Sequence, residues 1–538
     1  MKRAASVIFR SFILVLFGIA LGLYLADNGQ HGFPLNAHNK VSRVLQLVHH
    51  NYVDTVNTDS LEGVAVNNLL QNLDPHSLYL PPQQAQSINE RLDGGFEGIG
   101  IEYQLLRDTL FITQVYNGSP AQLAGITTGD RVIDVNGKKF SGTHLDQMDV
   151  NKVFRGEKDS EIALSIQNSP GSALKVYHIK RGHVDLSSLD AAYVVAPQTG
   201  YIKISKFAAT TDNDFRVALK KLRDEGVDKL VLDLRGNGGG YLNAATELAS
   251  EFLDKGKLIV YTKGAHEPRT DYMSTDSGLF KHGKLAVLID EYSASASEIF
   301  AGAMQDLDRA VIVGRRSFGK GLVQQQFGFG DGSAVNLTIA RYYTPSGRSI
   351  QKSYKDGLEN YHNEIAQRMQ KGELFSEENY LRDSDFRSAA VYHTSAGRKV
   401  FSGGGIMPDI FVPADTISDG LLVQELENRQ VFNAFVIDRM QPALGKFRGE
   451  EDFIRNYQVS DSNYDEFIAY ASQTVREMDS KEVKESANNI KLLIKAAAAR
   501  YRWGDNAYFE VLNSNDPALK KAVSAIKGSL VAFDIKEP

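Results

Sequence analysis

The pattern of apolar and polar positions changes along the chain, and each stretch predicts a different kind of structure. An uncharged apolar run, Ser11 to Ala26, comes first. Residues 40–86 carry apolar side chains at helical spacing, residues 95–181 show short alternating strands between glycine turns, and residues 200–413 alternate strands with helices. After Pro413 the spacing is helical to the end. The pattern predicts a mixed α/β and β multidomain protein with helical regions towards both termini.

These changes give the expected domain organisation. We predict a signal anchor over residues 1–27, a helical region over 28–94, a β-rich module over 95–182, an α/β core over 183–413 and a helical region over 414–538. Within the core, residues 353–398 are polar and charged, which favours a surface excursion.

The amino terminus has the features of an export signal. Lys2, Arg3 and Arg10 precede the apolar run, and Asp27 ends it. Counted back past Arg10, the run nearly reaches the roughly 20 residues that span a bilayer, and no clean A-x-A cleavage site follows it. We therefore expect an uncleaved membrane anchor, with the chain after Asp27 outside the cytoplasm.

Composition excludes several classes of function. Of 538 residues, 42% are hydrophobic and 23% are charged, as in globular proteins, and the net charge of -6 argues against a nucleic-acid partner. The chain has no cysteine, so disulfides, thiolate nucleophiles and cysteine zinc sites are excluded. It also lacks an H-E-x-x-H motif. We expect no metal and no cofactor.

A candidate nucleophile lies in the segment KLAVLIDEYSASASEIFAGAMQDL, which predicts a strand, a small-residue turn and a helix. Ser295 and Glu298 fit the S-x-x-E capping box, so Ser295 is expected at the least to cap this helix. The same geometry exposes a hydroxyl beside free N–H groups that suit an oxyanion. Both interpretations remain open at this point.

A serine nucleophile needs a base. The twelve histidines are scattered, and His76 and His266, nearest to turn signals, are interpreted as surface or loop residues. Lys320, flanked by Gly319 and Gly321 after the strand AVIVG, is an alternative, since burial lowers a lysine pKa. An exposed loop lysine is the competing interpretation.

Two nucleotide-binding motifs are nearly matched, and both fail. GRRSFGKG, Gly314 to Gly321, lacks the final hydroxyl of a P-loop. DLRGNGGG lacks the third glycine of a dinucleotide turn, because Tyr241 stands there. Nucleotide binding is not expected.

Several motifs occur together and in order: LDLRGNGGG, YSASASEIFAGAMQDLDRAVIVGRRSFGKGLVQ, DGSAVNLTIARYYTPSGRSIQ and GGIMPDI. In this order they closely resemble the carboxy-terminal processing peptidases, the tail-specific serine proteases of family S41. The resemblance runs from Asp74 to Pro413 and implies a crotonase-like ββα-spiral core. It implies the nucleophile Ser295, the base Lys320 and the polar partner Gln324. It also implies oxyanion donors at Ala296 and at a glycine of Gly238 to Gly240, with Gly239 preferred.

The same resemblance identifies residues 95–182 as a PDZ-like domain. GFEGIGIEY is similar to a carboxylate-binding loop, so a substrate tail is expected to add a strand and place its carboxylate on the N–H groups of Gly98, Ile99, Gly100 and Ile101. The two isoleucines would favour apolar tails. The alternative is that GIGI is only a tight glycine turn.

Together these features predict a serine endopeptidase that selects envelope proteins by their carboxy-terminal tails. We expect it in the bacterial inner membrane, facing the periplasm, or exported if the signal is cleaved. The alternative is a peptide-binding scaffold with little proteolytic activity. The sequence leaves the oligomeric state, the natural substrate and the role of residues after 413 open.

Overall fold

The computed structural model describes residues 40–106, 109–140, 147–168, 171–376, 390–414, 420–475 and 478–528. The chain divides into two compact units, Met1–Asn72 and Leu73–Pro538. Within the described ranges, no helix combines the length and the apolar character needed to cross a bilayer. The predicted anchor, residues 1–27, lies outside these ranges.

The described part of the first unit consists of two helices, α1 (Lys40–Asn51) and α2 (Thr58–Gln71). Asn57 caps α2, because its side chain accepts a hydrogen bond from the Ser60 N–H. A 3.0 Å hydrogen bond between His49 Nδ1 and Thr58 Oγ1 ties the end of α1 to the start of α2. The helical spacing of this stretch therefore corresponds to real helices.

The second unit opens with a short strand and a helix, β1 (Leu78–Leu80) and α3 (Pro82–Asp93). Helix α3 begins with proline, whose missing N–H costs nothing at that position. It ends at Gly94, which has a φ of 85° that a side chain would strain. The glycine turns the chain from α3 into the β-rich part of the molecule.

Residues 95–185 form the PDZ-like module. Its elements are β2 (Gly95–Gly98), β3 (Ile101–Leu106), β4 (Thr109–Val115), α4 (Pro120–Leu123), β5 (Arg131–Val135), β6 (Lys138–Lys139), α5 (Gln147–Phe154), β7 (Glu161–Gln167), β8 (Lys175–Lys180) and β9 (Gly182–Asp185). The main sheet has the order β3-β4-β5-β7-β8, with β6 paired to β5, while β2 and β9 pair separately at the base. Alternate residues of β7 are buried, as a sheet covered on one face requires. Strand β3 lies at an edge of this sheet.

Residues 189–411 form an α/β core around two sheets. Its elements are β10 (Leu189–Ala196), β11 (Thr199–Ile204), α6 (Thr211–Asp224), β12 (Lys229–Asp233), α7 (Leu242–Ser250), β13 (Leu258–Lys263), β14 (Thr270–Met273), β15 (Lys284–Ile289), α8 (Ala296–Asp306), β16 (Val311–Gly314), β17 (Leu322–Gly328), β18 (Ala334–Tyr343), α9 (Leu358–His362), α10 (Glu364–Gln370), β19 (Val391–His393), β20 (Lys399–Phe401) and β21 (Ile410–Phe411). The first sheet has the order β10-β11-β12-β15-β16-β21 and is parallel from β11 onwards. The second has the order β1-β18-β13-β14, with β17 paired to β18.

The first sheet is covered on both faces, which explains its nearly continuous apolar strands. Leu230 and Leu232 point into a core shared with α6, α7 and α8. Val231, between them, points into a second core shared with the last helix of the chain. The carboxyl ends of β12 and β15 therefore lie side by side, and the turns that follow them are brought together.

The described residues after 419 form helices, as predicted, and have their own apolar core. Its elements are α11 (Leu421–Asn428), α12 (Val431–Phe435), a π-helix (Val436–Met440), α13 (Gln441–Leu444), α14 (Glu450–Asn456), α15 (Asp461–Ala471), α16 (Ser480–Glu485), α17 (Ala487–Trp503), α18 (Asp505–Asn513) and α19 (Pro517–Lys527). The mixed α/β and β multidomain architecture is thus confirmed.

The polar stretch 353–398 differs from the predicted surface excursion in its described part. Arg368 and Glu373 are buried, and both bind the loop that precedes Lys320. Arg316 Nε donates to Glu373 Oε1 at 2.7 Å, and Arg368 Nη1 donates to the carbonyl oxygens of Arg316 and Ser317. Charged composition suggested exposure, but these charges are paired and hydrogen-bonded, which is how charges become buried.

Candidate active site

Ser295 lies at the turn between β15 and α8. Its backbone has φ 54° and ψ −113°, a conformation that residues with side chains rarely adopt. Such strain costs roughly 1–3 kcal/mol and persists where the surroundings hold it, typically at active sites.

Three serines occupy this turn, and the structure gives them different roles. Ser293 and Ser297 are fully buried. Ser293 Oγ donates to the Leu234 carbonyl at 2.8 Å, and Ser297 Oγ donates to the Asn237 carbonyl at 2.9 Å. These two serines fasten the turn to the glycine-rich loop after β12, whereas Ser295 is partly exposed and lines an open cavity.

The buried carboxylate of Glu298 joins the serine turn to the lysine loop. Its Oε2 accepts from the N–H groups of Ser295 and Lys320, each at 2.9 Å. Its Oε1 accepts from the Gly319 N–H at 2.6 Å and from Ser317 Oγ at 2.5 Å. One oxygen atom therefore sets the separation of the Ser295 and Lys320 backbones.

Burial raises the pKa of Glu298 to about 7, although its four hydrogen bonds favour the ionised form. Below that pH the added proton must displace one of the four donors. The sequence showed Glu298 only as half of a capping box, and its contact with Lys320 has no local sequence signal.

Tyr342 forms a second connection between the two loops. Its hydroxyl lies 2.6 Å from the Lys320 carbonyl oxygen and 3.2 Å from the Ser295 carbonyl oxygen. The ring is buried beneath the site, on β18 of the second sheet. Both sheets thus position the candidate dyad.

Lys320 has the electrostatic surroundings that a neutral amine requires. Burial lowers its pKa from the ordinary 10.5, while the negative charges of Glu298 and Asp74 oppose that shift. Within the described part of the chain, no carboxylate forms an ion pair with its Nζ. Desolvation without a paired anion favours the uncharged amine.

Ser295 and Lys320 open into one cavity of about 540 Å³. Its other lining residues include Gln324, Gly238 and Gly240. A cavity of this volume has room for a short stretch of extended peptide beside the serine hydroxyl.

Gln324 lines the cavity but does not contact the lysine amine. Its Nε2 donates to Thr338 Oγ1 at 3.3 Å, and that hydroxyl donates to Asp74 Oδ1 at 3.0 Å. A β-bulge between Val323 and Gln324 interrupts the β17–β18 pairing at this point. The predicted orienting contact with Lys320 is absent from the described hydrogen bonds.

Of the two predicted oxyanion donors, one N–H group has no partner within its helix and the other already forms a hydrogen bond. Ala296 occupies the first position of α8, where an N–H group has no partner within the helix. The Gly239 N–H is already used, because it donates to Asn237 Oδ1 at 2.8 Å. This correction moves the second candidate donor to Gly238 or Gly240, both of which line the cavity.

His76 lies in the loop before β1, as predicted, and the structure also places it close to Lys320. Burial and the positive charge of Lys320 lower the pKa of His76 to about 3. Its Nε2 hydrogen-bonds the Tyr361 hydroxyl at 2.7 Å. The ring is therefore neutral at physiological pH, and it lies beside Lys320 without adding a charge.

Part of the predicted carboxylate-binding loop packs and forms hydrogen bonds within the PDZ-like module itself. Ile99 and Ile101 are 0% and 9% exposed and belong to the module core, so these side chains cannot select a tail. The Ile99 N–H donates to the Phe154 carbonyl at 3.2 Å. Tyr103 on β3 hydrogen-bonds Asn151 on α5, which marks the groove between the edge strand and the helix. Gly98 and Gly100 shape the turn that enters β3.

Comparison with known families agrees with the resemblance seen in the sequence. Residues 198–360 match the family model described as peptidase family S41, and residues 111–168 match the model of the PDZ domain. Residues 422–504 match a model described only as a family of unknown function, DUF8443. The predicted relationship is confirmed for the core and for the PDZ-like module.

Two curated proteins illustrate the similarity. A CtpA-like serine protease of Staphylococcus aureus (strain MRSA252) is 37% identical over 316 residues, which cover 58% of this chain and 62% of that protein. The carboxy-terminal processing protease CtpB of Bacillus subtilis (strain 168) is 36% identical over 323 residues, covering 59% of this chain and 66% of that protein. The chain thus spans somewhat less than two thirds of these relatives.

Among solved structures, a photosystem II D1 C-terminal processing protease is 28% identical, with 58% of this chain and 89% of that chain covered and a TM-score of 0.32.

Proposed function

We propose that this chain, which carries a peptidase family S41 domain over residues 198–360 and a PDZ domain over residues 111–168, is a serine endopeptidase with a Ser295/Lys320 dyad. One observation carries the proposal: the Glu298 carboxylate holds the backbones of Ser295 and Lys320, and both side chains open into the same cavity.

The reaction follows from these positions. Neutral Lys320 takes the proton from Ser295 Oγ as that oxygen attacks the carbonyl carbon of the scissile peptide bond. The N–H of Ala296 and that of Gly238 or Gly240 stabilise the oxyanion. The Lys320 ammonium then protonates the leaving amine, which leaves an acyl-enzyme. Water, deprotonated by the same lysine, releases the second product and restores the serine.

Substrate choice is assigned to the PDZ-like module. A peptide tail that adds to the free edge of β3 would make backbone hydrogen bonds with it, while its side chains enter the groove beside α5. This proposal keeps the expected selection of proteins by apolar carboxy-terminal tails, although Ile99 and Ile101 are not the selecting side chains.

The proposed location is the bacterial envelope. The basic flank and the apolar run of residues 1–27 favour an inner-membrane anchor with the catalytic core in the periplasm. The substrates would then be envelope proteins.

The test uses the full chain in detergent and an unstructured protein made in two forms, one ending in a free apolar tail and one with the same tail amidated. We expect the wild type to cleave the free form faster, because amidation removes the charge of the terminal carboxylate. Ser295→Ala should cleave neither. Binding of the free tail without cleavage by the wild type would instead favour a peptide-binding scaffold.

A further inference from the structure

The helical region, residues 420–528, is attached to the catalytic core by apolar packing. Helix α19 buries Ala518, Leu519, Ala522 and Ile526 against the outer face of the first sheet. Arg235, beside the glycine-rich loop, also pairs with the capping residue of α19, Asp516, at 2.7 Å. The helical region and the core are thus expected to move together.

The attachment of the helical region to the PDZ-like module is polar instead. Gln114 of β4 donates to Asp505 Oδ2 at 3.1 Å. Arg500 lies 3.4 Å from Gln114 Oε1 and 3.9 Å from Glu102 Oε2. Gln104 of β3 donates to the Gln430 carbonyl at 3.2 Å. Two of the four contacts involve β3, the strand whose free edge is the proposed tail site.

A glycine permits the closest approach across this contact. A Cβ on Gly129 would lie 2.0 Å from the Tyr501 hydroxyl oxygen. That hydroxyl is buried and has no hydrogen-bond partner among the residues that the structure describes. The contact therefore requires close packing at Gly129. Releasing the module would expose the unsatisfied Tyr501 hydroxyl to water.

Open space surrounds these contacts. A cleft of about 1070 Å³ lies among the PDZ-like module, the core and the helical region. The ion pair between Arg500 and Glu102 is exposed on both sides, and exposed ion pairs contribute little to stability. The chain passes between module and core only at residues 94–95 and 185–186. The polar contacts are thus weak enough to separate while the apolar packing of α19 persists.

The docked module faces a route to the catalytic cavity. A second cleft, of about 870 Å³, is bordered by Phe96 and Arg155 of the module. It shares Asn89, Asp93 and Gln326 with the cavity that contains Ser295. The module thus borders a cleft that continues into the catalytic cavity.

From these observations we propose that the helical region is a releasable brace whose binding partner is the chain's own PDZ-like module. The end of α17 and the start of α18 hold the module beside the route to the catalytic cavity, so that tail binding is coupled to cleavage. The coupling rests on the proposed peptidase function. The docking of the module on the helical region does not depend on that function. It would give a role to residues 422–504, which match only a family of unknown function.

Two glycines of the module supply a matched pair of variants. Gly129 and Gly125 have φ values of 94° and 88°, so alanine strains both backbones alike. A Cβ at Gly125 meets nothing within 4 Å, whereas at Gly129 it meets Tyr501. Gly129→Ala therefore adds a collision with the brace to a strain that Gly125→Ala already contains. Tyr501→Phe removes the colliding hydroxyl and should partly restore docking in Gly129→Ala.

Docking is measured without reference to activity. The chain has no cysteine, so Gln114→Cys with Asp505→Cys gives a single thiol pair across the contact. A short bis-maleimide should cross-link this pair rapidly in the full chain and in the Gly125→Ala background, and at least fivefold more slowly with Gly129→Ala, a change of the size that one kcal/mol or more produces. Equal cross-linking rates in the two glycine variants would overturn the brace, whether or not the chain hydrolyses peptides.

Coupling is measured on the same variants without the cysteines. Gly129→Ala should lose most of the wild-type preference for the free over the amidated tail and still cleave a short tail-less peptide. Gly125→Ala should keep the preference. Unchanged preference in Gly129→Ala, together with slowed cross-linking, would contradict the coupling. Absence of all hydrolysis in the wild type would refute the peptidase proposal instead.

Discussion

Replacing Glu298 by glutamine is the sharpest test of how the two catalytic loops are held together. Each carboxylate oxygen accepts two hydrogen bonds, from Ser295 and Lys320 on one side and from Ser317 and Gly319 on the other. An amide presents one oxygen and one NH₂ group. Turned one way, its NH₂ group faces the N–H donors of Ser295 and Lys320. Turned the other way, it faces the Gly319 N–H, while the Ser317 hydroxyl can rotate and accept from it.

The magnitude follows from the count of lost acceptors. A buried donor without a partner costs roughly 1–3 kcal/mol, so the loss of one or two acceptors costs about 1–6 kcal/mol. We expect Glu298→Gln to lower the stability of the core and to lower kcat, because either orientation removes an acceptor from the turn of Ser295 or from the loop that carries Lys320. The fall in kcat should exceed any change in KM, since the substrate does not touch Glu298.

The matched control is Glu291→Gln. Glu291 is also buried and binds Arg315 at 2.7 and 3.2 Å, but it contacts neither Ser295 nor Lys320. It should lose stability and keep kcat. Thermal unfolding and peptide hydrolysis of both variants provide the comparison, and equal kcat values in the two variants would refute the proposed joining role of Glu298.

The pH dependence of stability gives an independent check on the same residue. The pKa of Glu298 is raised from 4.5 to about 7, so the folded chain binds one more proton than the unfolded chain between these values. Its contribution to stability is therefore present below pH 4.5 and is lost as the pH rises to 7. Glu298→Gln should remove this component of the unfolding profile.

Two further predictions concern the site and the topology. Gln324→Ala should lower turnover, because this side chain lines the cavity of Ser295 and Lys320. The loss of thermal stability should be small, because the residue is partly exposed and its described side-chain hydrogen bond is to Thr338; a variant that unfolds would show a structural residue instead. The full chain should sediment with membranes, and protease added to intact spheroplasts should digest it, since the basic flank keeps only the first residues inside; complete protection would contradict this topology.

The sequence predicted the parts of the site that lie in local motifs. Ser295 follows a strand and starts a helix, so its position at an exposed turn was predictable from the small residues around it. The glycines beside Lys320 marked a turn after a strand. The fact that the two turns meet depends on the parallel pairing of β15 and β16, which no local pattern encodes.

The features that the sequence did not predict depend on contacts between residues far apart along the chain. His76 reaches Lys320 because β1 pairs with β18. Arg368 is buried because it pairs with Glu364 and donates to the carbonyl oxygens of Arg316 and Ser317, which lie 52 and 51 residues earlier. For Gly239, the motif gave a glycine-rich loop but not the direction of each N–H. The Gly239 N–H donates to Asn237 Oδ1 within a local turn, and the neighbouring glycines line the cavity.

The most direct test of the central claim is labelling with a serine-directed phosphonate. The wild type and Lys320→Arg are labelled over a range of pH, and the modified residue is located by peptide mass. The pKa of Lys320 lies below the ordinary 10.5, so the fraction of neutral amine grows as the pH climbs through that lowered value. We predict labelling at Ser295 and not at the buried Ser293 or Ser297, with a rate that rises over this interval and is lost in Lys320→Arg, whose guanidinium stays charged. Labelling of another serine, or an unchanged rate in Lys320→Arg, would contradict the dyad.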